Sequence, residues 1–190
     1  MCLLLGATGV GKTLLLKRLQ KLSLRDGTTD LGEPPVTLPT VGTNLTDLTL
    51  KRKRVTVREL GGCMGPIWPS YYTDCSSVIF MVDSANTTQI SSSCIQLLSV
   101  LSAEPLHTAS VLVIFNKRSC SNTDTTNSLD KISVFYRDLP CTMSLVEMMS
   151  LFRMDDIIAS ATQPITTLEL SARSGQGLQE VLAWLDSTPN

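Results

Sequence analysis

Gly6-Ala7-Thr8-Gly9-Val10-Gly11-Lys12-Thr13 fits the pattern GxxxxGK[ST], and each fixed position has a chemical reason. Glycines let the backbone curl so that successive N–H groups point inward at a β-phosphate. The helix expected to follow adds its positive end at Lys12 and beyond. Lys12 would then reach the β- and γ-phosphates, and the Thr13 hydroxyl would coordinate Mg²⁺. At average residue usage the pattern arises by chance in roughly one chain per hundred of this length. Context therefore has to carry it. Here the loop lies between an apolar run, Cys2–Leu5, and a helical pattern, Lys12–Leu22. A glycine turn that merely joins strand and helix would leave that combination unexplained.

Outward from the loop, the same alternation repeats. Val78–Val82 and Val111–Phe115 are strand-length and nearly continuous in apolar residues, as strands buried on both faces of a parallel sheet read. Val55–Leu60 and Thr167–Leu170 are expected as further strands, and Leu45–Leu50 as a weaker one. Leu15, Leu16, Leu19 and Leu22 share one face of the first helix. Gln89–Ser102 does the same with Ile90, Cys94, Leu97, Leu98 and Leu101, and Leu178–Leu185 is the last helix. Strands alternating with helices predict one α/β domain over residues 1–190, a mostly parallel six-stranded sheet with helices on both faces. Arg118–Arg137 breaks the rhythm. Its first half is crowded with Ser, Thr, Asn and Asp and reads as a polar loop, and Ile132–Tyr136 reads as a helical turn or an edge strand.

The bulk numbers exclude several classes. A chain of 190 residues with 43% hydrophobic and 17% charged residues is globular, and one core can serve it. A net charge of -1 gives no electrostatic reason to expect nucleic acid, and Lys51–Arg54, the one dense basic run, reads as a solvated turn. Six cysteines, at positions 2, 63, 75, 94, 120 and 141, form no CxxC pair, and the single His107 has no ligand beside it. Zinc is not expected, and free thiols in a reducing compartment are. No apolar run reaches the roughly 20 residues of a membrane span, and Cys2–Leu5 is too short for a signal peptide. The expectation is a cytoplasmic protein.

Further stretches resemble the Arf family of small GTP-binding proteins. Pro39-Thr40-Val41-Gly42-Thr43-Asn44 looks like that family's switch I, and Arg58-Glu59-Leu60-Gly61-Gly62-Cys63 like the opening of switch II, usually Trp-Asp-Val-Gly-Gly-Gln. Ile67–Tyr72 and Val78–Ser84 follow the same family. Asn116-Lys117 and Asp138-Leu139-Pro140 look like two halves of its guanine-reading motif, and Ser171-Ala172-Arg173 like the loop behind the base. Gly62-Cys63-Met64-Gly65-Pro66-Ile67-Trp68 marks a divergent member.

The resemblance implies GTP or GDP with Mg²⁺ as the bound species. Gly6, Ala7, Thr8, Gly9, Val10, Gly11, Lys12 and Thr13 would hold phosphate, Thr40 would sense the γ-phosphate through the metal, and the Gly62 N–H would hold that phosphate. Thr13 and Thr40 would be metal ligands, with Glu59 acting through water. Asn116 and Lys117 would buttress and stack on guanine, Asp138 would accept from its nitrogens, and Ser171-Ala172 would meet its oxygen. Effectors and regulators would bind through the switches, where Thr43, Arg58 and Tyr71 occupy the family's Phe, Trp and Tyr positions. With one aromatic of three, the usual effectors should bind poorly.

Four departures qualify this. Glu59 replaces an aspartate and gains a methylene. Cys63 stands where a glutamine orients the attacking water, and a thiol is too weak a partner for that, so hydrolysis should be slow. No amphipathic helix precedes the first strand, so a direct membrane anchor is not expected, and Cys2, in a buried strand, is a poor acylation site. Twenty residues, Arg118–Arg137, separate Lys117 from Asp138 where the family has one. That insertion looks like an alternative splice product that preserves the frame. Two readings stay open: a slow GTP-binding switch serving intracellular or ciliary membrane traffic, and a pseudo-GTPase that has lost guanine through the split motif. A phosphate-loop kinase would need an arginine-bearing lid, which the chain lacks.

Overall fold

The computed structural model describes residues 1–24, 31–116 and 144–189. In chain order come β1 (Cys2–Gly6), α1 (Lys12–Ser23), β2 (Thr43–Thr49), β3 (Arg54–Leu60) and a 3₁₀ helix, Gly62–Tyr71. There follow β4 (Ser77–Asp83), α2 (Ile90–Leu101), β5 (Ser110–Asn116), α3 (Leu145–Phe152), α4 (Met154–Ser160), β6 (Ile165–Leu170) and α5 (Leu178–Ser187). The strands form one sheet in the order β2-β3-β1-β4-β5-β6. Only the β2–β3 pair is antiparallel, which a short turn between them permits. The expected fold class holds, and among the described residues each foreseen strand and helix lies within two residues of its predicted ends.

Two cores sandwich this sheet, and β1 feeds both. Successive strand residues face opposite sides. Cys2 and Leu4 accordingly pack with Leu15, Leu16 and Leu19 of α1 and Val181 and Leu185 of α5. Leu3 and Leu5 pack on the other side, with Leu97 and Val100 of α2 and Met148 and Phe152 of α3. Phe152 meets Phe115 of β5 edge to face at 5.7 Å. Burying residues such as these contributes about 1.5–3 kcal/mol each, so the central strands are where the fold is held.

Two expectations need correction. In α2 the buried residues are Ile90, Ser93, Leu97, Val100 and Leu101, while Leu98 is 44% exposed and Cys94 only partly buried. Ser93 and Val100 are buried where the apolar pattern alone points to Cys94 and Leu98. The helices α3 and α4 were also not foreseen. Ser144 and Glu147 form a reciprocal capping box at the start of α3, with the Ser144 hydroxyl accepting from the Glu147 N–H. The segment 118–137 and Ile132–Tyr136 within it lie outside the described residues.

After Gly61 the chain follows the tighter 3₁₀ path. Pro66 and Pro69 lie inside it and have no N–H to donate. Trp68 is buried and anchors this segment by donating its indole N–H to the Gly61 carbonyl at 3.1 Å.

Candidate nucleotide and metal site

The loop of residues 6–13 runs from the carboxyl end of β1 into α1 and arches around its own lysine. Lys12 Nζ donates to the carbonyls of Gly6 at 2.7 Å and Ala7 at 2.9 Å. These bonds stretch the side chain across the loop, where an incoming phosphate would meet the ammonium. Lys12 is 5% exposed, and burial lowers its pKa to about 8, against the pull of Glu59 and Cys63, which favour the charged form. Gly11 has φ 101°, and an added Cβ would stand 2.6 Å from the Asn116 amide nitrogen. No side chain fits there. The cleft beyond is lined by Thr8, Lys12, Thr13, Thr40, Glu59 and Gly62, among others, and so joins the loop to both switch segments.

Three oxygens from three elements converge at the mouth of α1. Thr13 Oγ1 donates to Glu59 Oε1 at 2.5 Å, Thr40 Oγ1 donates to the same oxygen at 3.0 Å, and the two hydroxyls are 3.0 Å apart. Asn44 Nδ2 donates to Glu59 Oε2 at 3.3 Å. A hydroxyl that gives its proton to a carboxylate keeps lone pairs for a hard cation. One carboxylate, two hydroxyls and the oxygens of a phosphate make the oxygen-only set that Mg²⁺ prefers. The donor set therefore fits the ion. The Glu59 carboxylate is in direct contact with both hydroxyls, and Glu59 is 1% exposed.

The switch segments are stitched together. Gly61 N–H donates to the Gly42 carbonyl at 2.9 Å, continuing the β2–β3 pairing of Thr43 with Leu60. Gly62 packs straight onto the phosphate loop, since a Cβ there would stand 2.2 Å from the Thr8 nitrogen. Cys63 is exposed, with its Sγ 3.9 Å from the Thr40 carbonyl. Nearby, Thr43 is exposed, and Arg58 stacks its guanidinium 5.4 Å over the Tyr71 ring.

Asn116 closes the other end of the site. Its Nδ2 donates to the Val10 carbonyl at 2.7 Å, and its Oδ1 accepts from the Ala172 N–H at 3.0 Å. One buried amide thus ties the phosphate loop to the loop after β6. Ser171 accepts there from the Ser174 N–H at 3.2 Å. Lys117 and Asp138, the rest of the expected base-reading set, lie outside the described residues.

The model of the ADP-ribosylation factor family matches residues 1–188. The chain belongs to that family. It is 60% identical over 188 residues to human ADP-ribosylation factor-like protein 16, an alignment covering 99% of this chain and 85% of the relative. ADP-ribosylation factor-like protein 1 of Saccharomyces cerevisiae is 33% identical over 185 residues, covering 96% and 84%. Among solved structures, the Arl6 BBS3 small GTPase of Trypanosoma brucei with a bound nucleotide analogue, GppNp, superposes with a TM-score of 0.71. It is 18% identical and covers 97% of this chain and 94% of its own, so it speaks to the fold.

Within the Arf family frame, two contributors to the site escaped the sequence reading. Asn44 lay inside the switch I stretch, but nothing in its spacing marked it as a partner of Glu59. Arg18 carried a weak signal, a charge on an otherwise leucine-rich helix. It is 2% exposed, and its guanidinium bonds three backbone carbonyls, of Leu31, Gly32 and Arg173. Among the described residues, no helix is long and apolar enough to cross a membrane.

Proposed function

We propose that this Arf-family chain is a guanine-nucleotide switch whose two states are set by whether Thr40 is held at the metal position. The observation that carries this is the convergence of Thr13, Thr40 and Glu59. Thr13 belongs to the phosphate loop, and Thr40 belongs to the segment that must move. Mg²⁺, when bound, would supply positive charge to offset that of the phosphates. Thr13 and Thr40 would supply hydroxyl ligands, and Glu59 would orient both by accepting their hydrogen bonds. Lys12 would carry the counter-charge, and the Gly62 N–H would donate to a third phosphate. Loss of that phosphate would remove the acceptor of the Gly62 N–H and, with the metal, one partner of Thr40, leaving Thr40 only its contacts with Glu59 and Thr13 and so loosening both switches.

Cys63 stands where an amide would orient water, so turnover is slow and the GTP state is long-lived. Effectors would read Thr43, Arg58, Tyr71 and the neighbouring exposed Leu38, Val41, Leu45 and Ile67. By family resemblance those effectors act in intracellular or ciliary membrane traffic, with the protein cytoplasmic. Fluorescent GDP, GTP and ADP titrated into the purified chain test the reading. Guanine nucleotide should bind, and Lys12→Ala or Thr13→Asn should abolish tight binding. Unchanged affinity in both variants, or no guanine preference, rejects it.

A further inference from the structure

Arg18 sits less than two helical turns beyond Thr13, on the same helix that carries the phosphate-binding lysine. Arg18 is 2% exposed and has no acidic partner among the described residues. Nη1 donates to the Leu31 carbonyl at 2.5 Å and to the Gly32 carbonyl at 3.0 Å, and Nη2 donates to the Arg173 carbonyl at 3.0 Å. Leu31 and Gly32 lie between α1 and the switch I stretch, Pro39–Asn44. Arg173 follows Ala172 in the loop that Asn116 ties to the phosphate loop. One planar cation therefore joins segments 155 and 13–14 positions away along the chain.

Two further contacts mark the junction as built. The Leu31 side chain lies against Gly175, where φ is +93° and an added Cβ would meet Leu31 Cδ1 at 2.3 Å. Lys21 Nζ, one turn further along α1, donates to the same Leu31 carbonyl at 2.7 Å. A guanidinium suits the position because its fork presents several N–H groups in fixed directions, whereas an ammonium is a single point charge. Burying it is tolerable only while those carbonyls stay in place. The cation and the junction therefore hold each other.

Resting on the nucleotide-switch reading above, we propose that Arg18 is a positioning residue for the nucleoside half of the ligand. It clamps the loop behind the base to the root of switch I, so that Ala172 and the segment running to Thr40 are held in one arrangement. It touches no phosphate. Loss of the clamp should therefore loosen the nucleoside and leave the phosphate loop's own affinity in place.

The test compares release of fluorescent GDP with binding of inorganic pyrophosphate, in wild type, Arg18→Gln, Arg18→Lys and Lys21→Ala. Arg18→Gln should release GDP about 10- to 100-fold faster, the loss expected for several charge-assisted bonds. Its pyrophosphate affinity should stay within about twofold of wild type. Arg18→Lys should fall between the two, because it restores charge without the fork. Lys21→Ala, which removes one bond to the Leu31 carbonyl but spares Arg18's three, should speed release less than Arg18→Gln does. Equal GDP release in all four proteins overturns the proposal. So does a parallel fall in GDP and pyrophosphate binding with a lowered melting temperature, which is the signature of a merely structural residue. If Arg18→Gln does not fold, Arg18→Lys decides alone, and wild-type GDP release in it counts against the clamp. A wild-type chain that binds pyrophosphate but no guanine nucleotide rejects the switch reading itself.

Discussion

The Thr13 hydroxyl and the Glu59 carboxylate, 46 residues apart in sequence, are joined by a hydrogen bond of 2.5 Å. It fixes the first turn of α1 to the end of β3, and the Thr40 hydroxyl leans on the same oxygen at 3.0 Å. The carboxylate thus ties the phosphate loop, β3 and the Thr40 segment together at one oxygen.

Glu59→Gln should weaken Mg²⁺-dependent nucleotide retention by at least about tenfold, since an amide loses one charge-assisted bond or more. Glu59→Asp should keep most of it, because the charge survives although the reach shortens. Nucleotide release measured against free Mg²⁺ concentration gives both values. A glutamine variant that matches wild type would separate Glu59 from the metal altogether.

Lys12 gives a pH dependence with a definite sign. Its folded pKa, about 8, lies below the ordinary value of 10.5 because burial penalises the charge. Between those values the unfolded chain binds more protons, so this residue's contribution to ligand-free stability rises with pH across that window. Phosphate binding needs the ammonium and runs the other way. Relative to pH 7, GDP affinity should be about twofold weaker at pH 8 and about tenfold weaker at pH 9. Calorimetric titrations at half-unit steps will show this bend, and a level profile to pH 9 contradicts it.

Cys63→Gln should speed single-turnover GTP hydrolysis by at least about tenfold, a barrier drop of about 1.4 kcal/mol. Because Cys63 is exposed, folding and GDP affinity should hardly change. If the rate stays put while binding is intact, the limit lies elsewhere, and the longer Glu59 is the first place to look.

Removing Ser119–Arg137 restores Asn116-Lys117-Arg118-Asp138, the uninterrupted spacing. A carboxylate accepting two charge-assisted bonds from guanine should contribute about 2–4 kcal/mol beyond a displaced one, so the shortened chain should bind GTP roughly 30- to 1000-fold more tightly. Discrimination between GTP and ATP should rise in parallel. Equal affinity and selectivity in the two chains would show that the insertion leaves base recognition intact.

How much could be read beforehand depended on the kind of signal. The strands β1, β4 and β5 were legible because burial on both faces leaves unbroken apolar runs, and Gly6–Thr13 because its chemistry fixes each position. The exposed and partly polar β2 was legible only weakly. The α2 face was misjudged because apolar character alone cannot foresee that Ser93 would be buried. The α3 helix was missed although Ser144 and Glu147 stand at capping-box spacing before an apolar run. For the site, Thr13, Thr40 and Asn116 could be named from motif positions. Asn44 and Arg18 could not, because their partners are a distant carboxylate and backbone carbonyls, which leave no pattern in sequence.

The strand order has a consequence for how the chain is made. β1 is the earliest of the six strands to be synthesised, yet it ends up between β3 and β4. Its second neighbour is complete only at Asp83, 77 residues after Gly6. At about 5–20 residues per second, Cys2-Leu3-Leu4-Leu5 waits roughly 4–15 s for a full set of backbone partners. During that interval a short, uncharged, apolar strand-former is bare, the kind of segment that pairs readily with other chains. Newly made protein should therefore depend on chaperones more than the finished fold's stability would suggest.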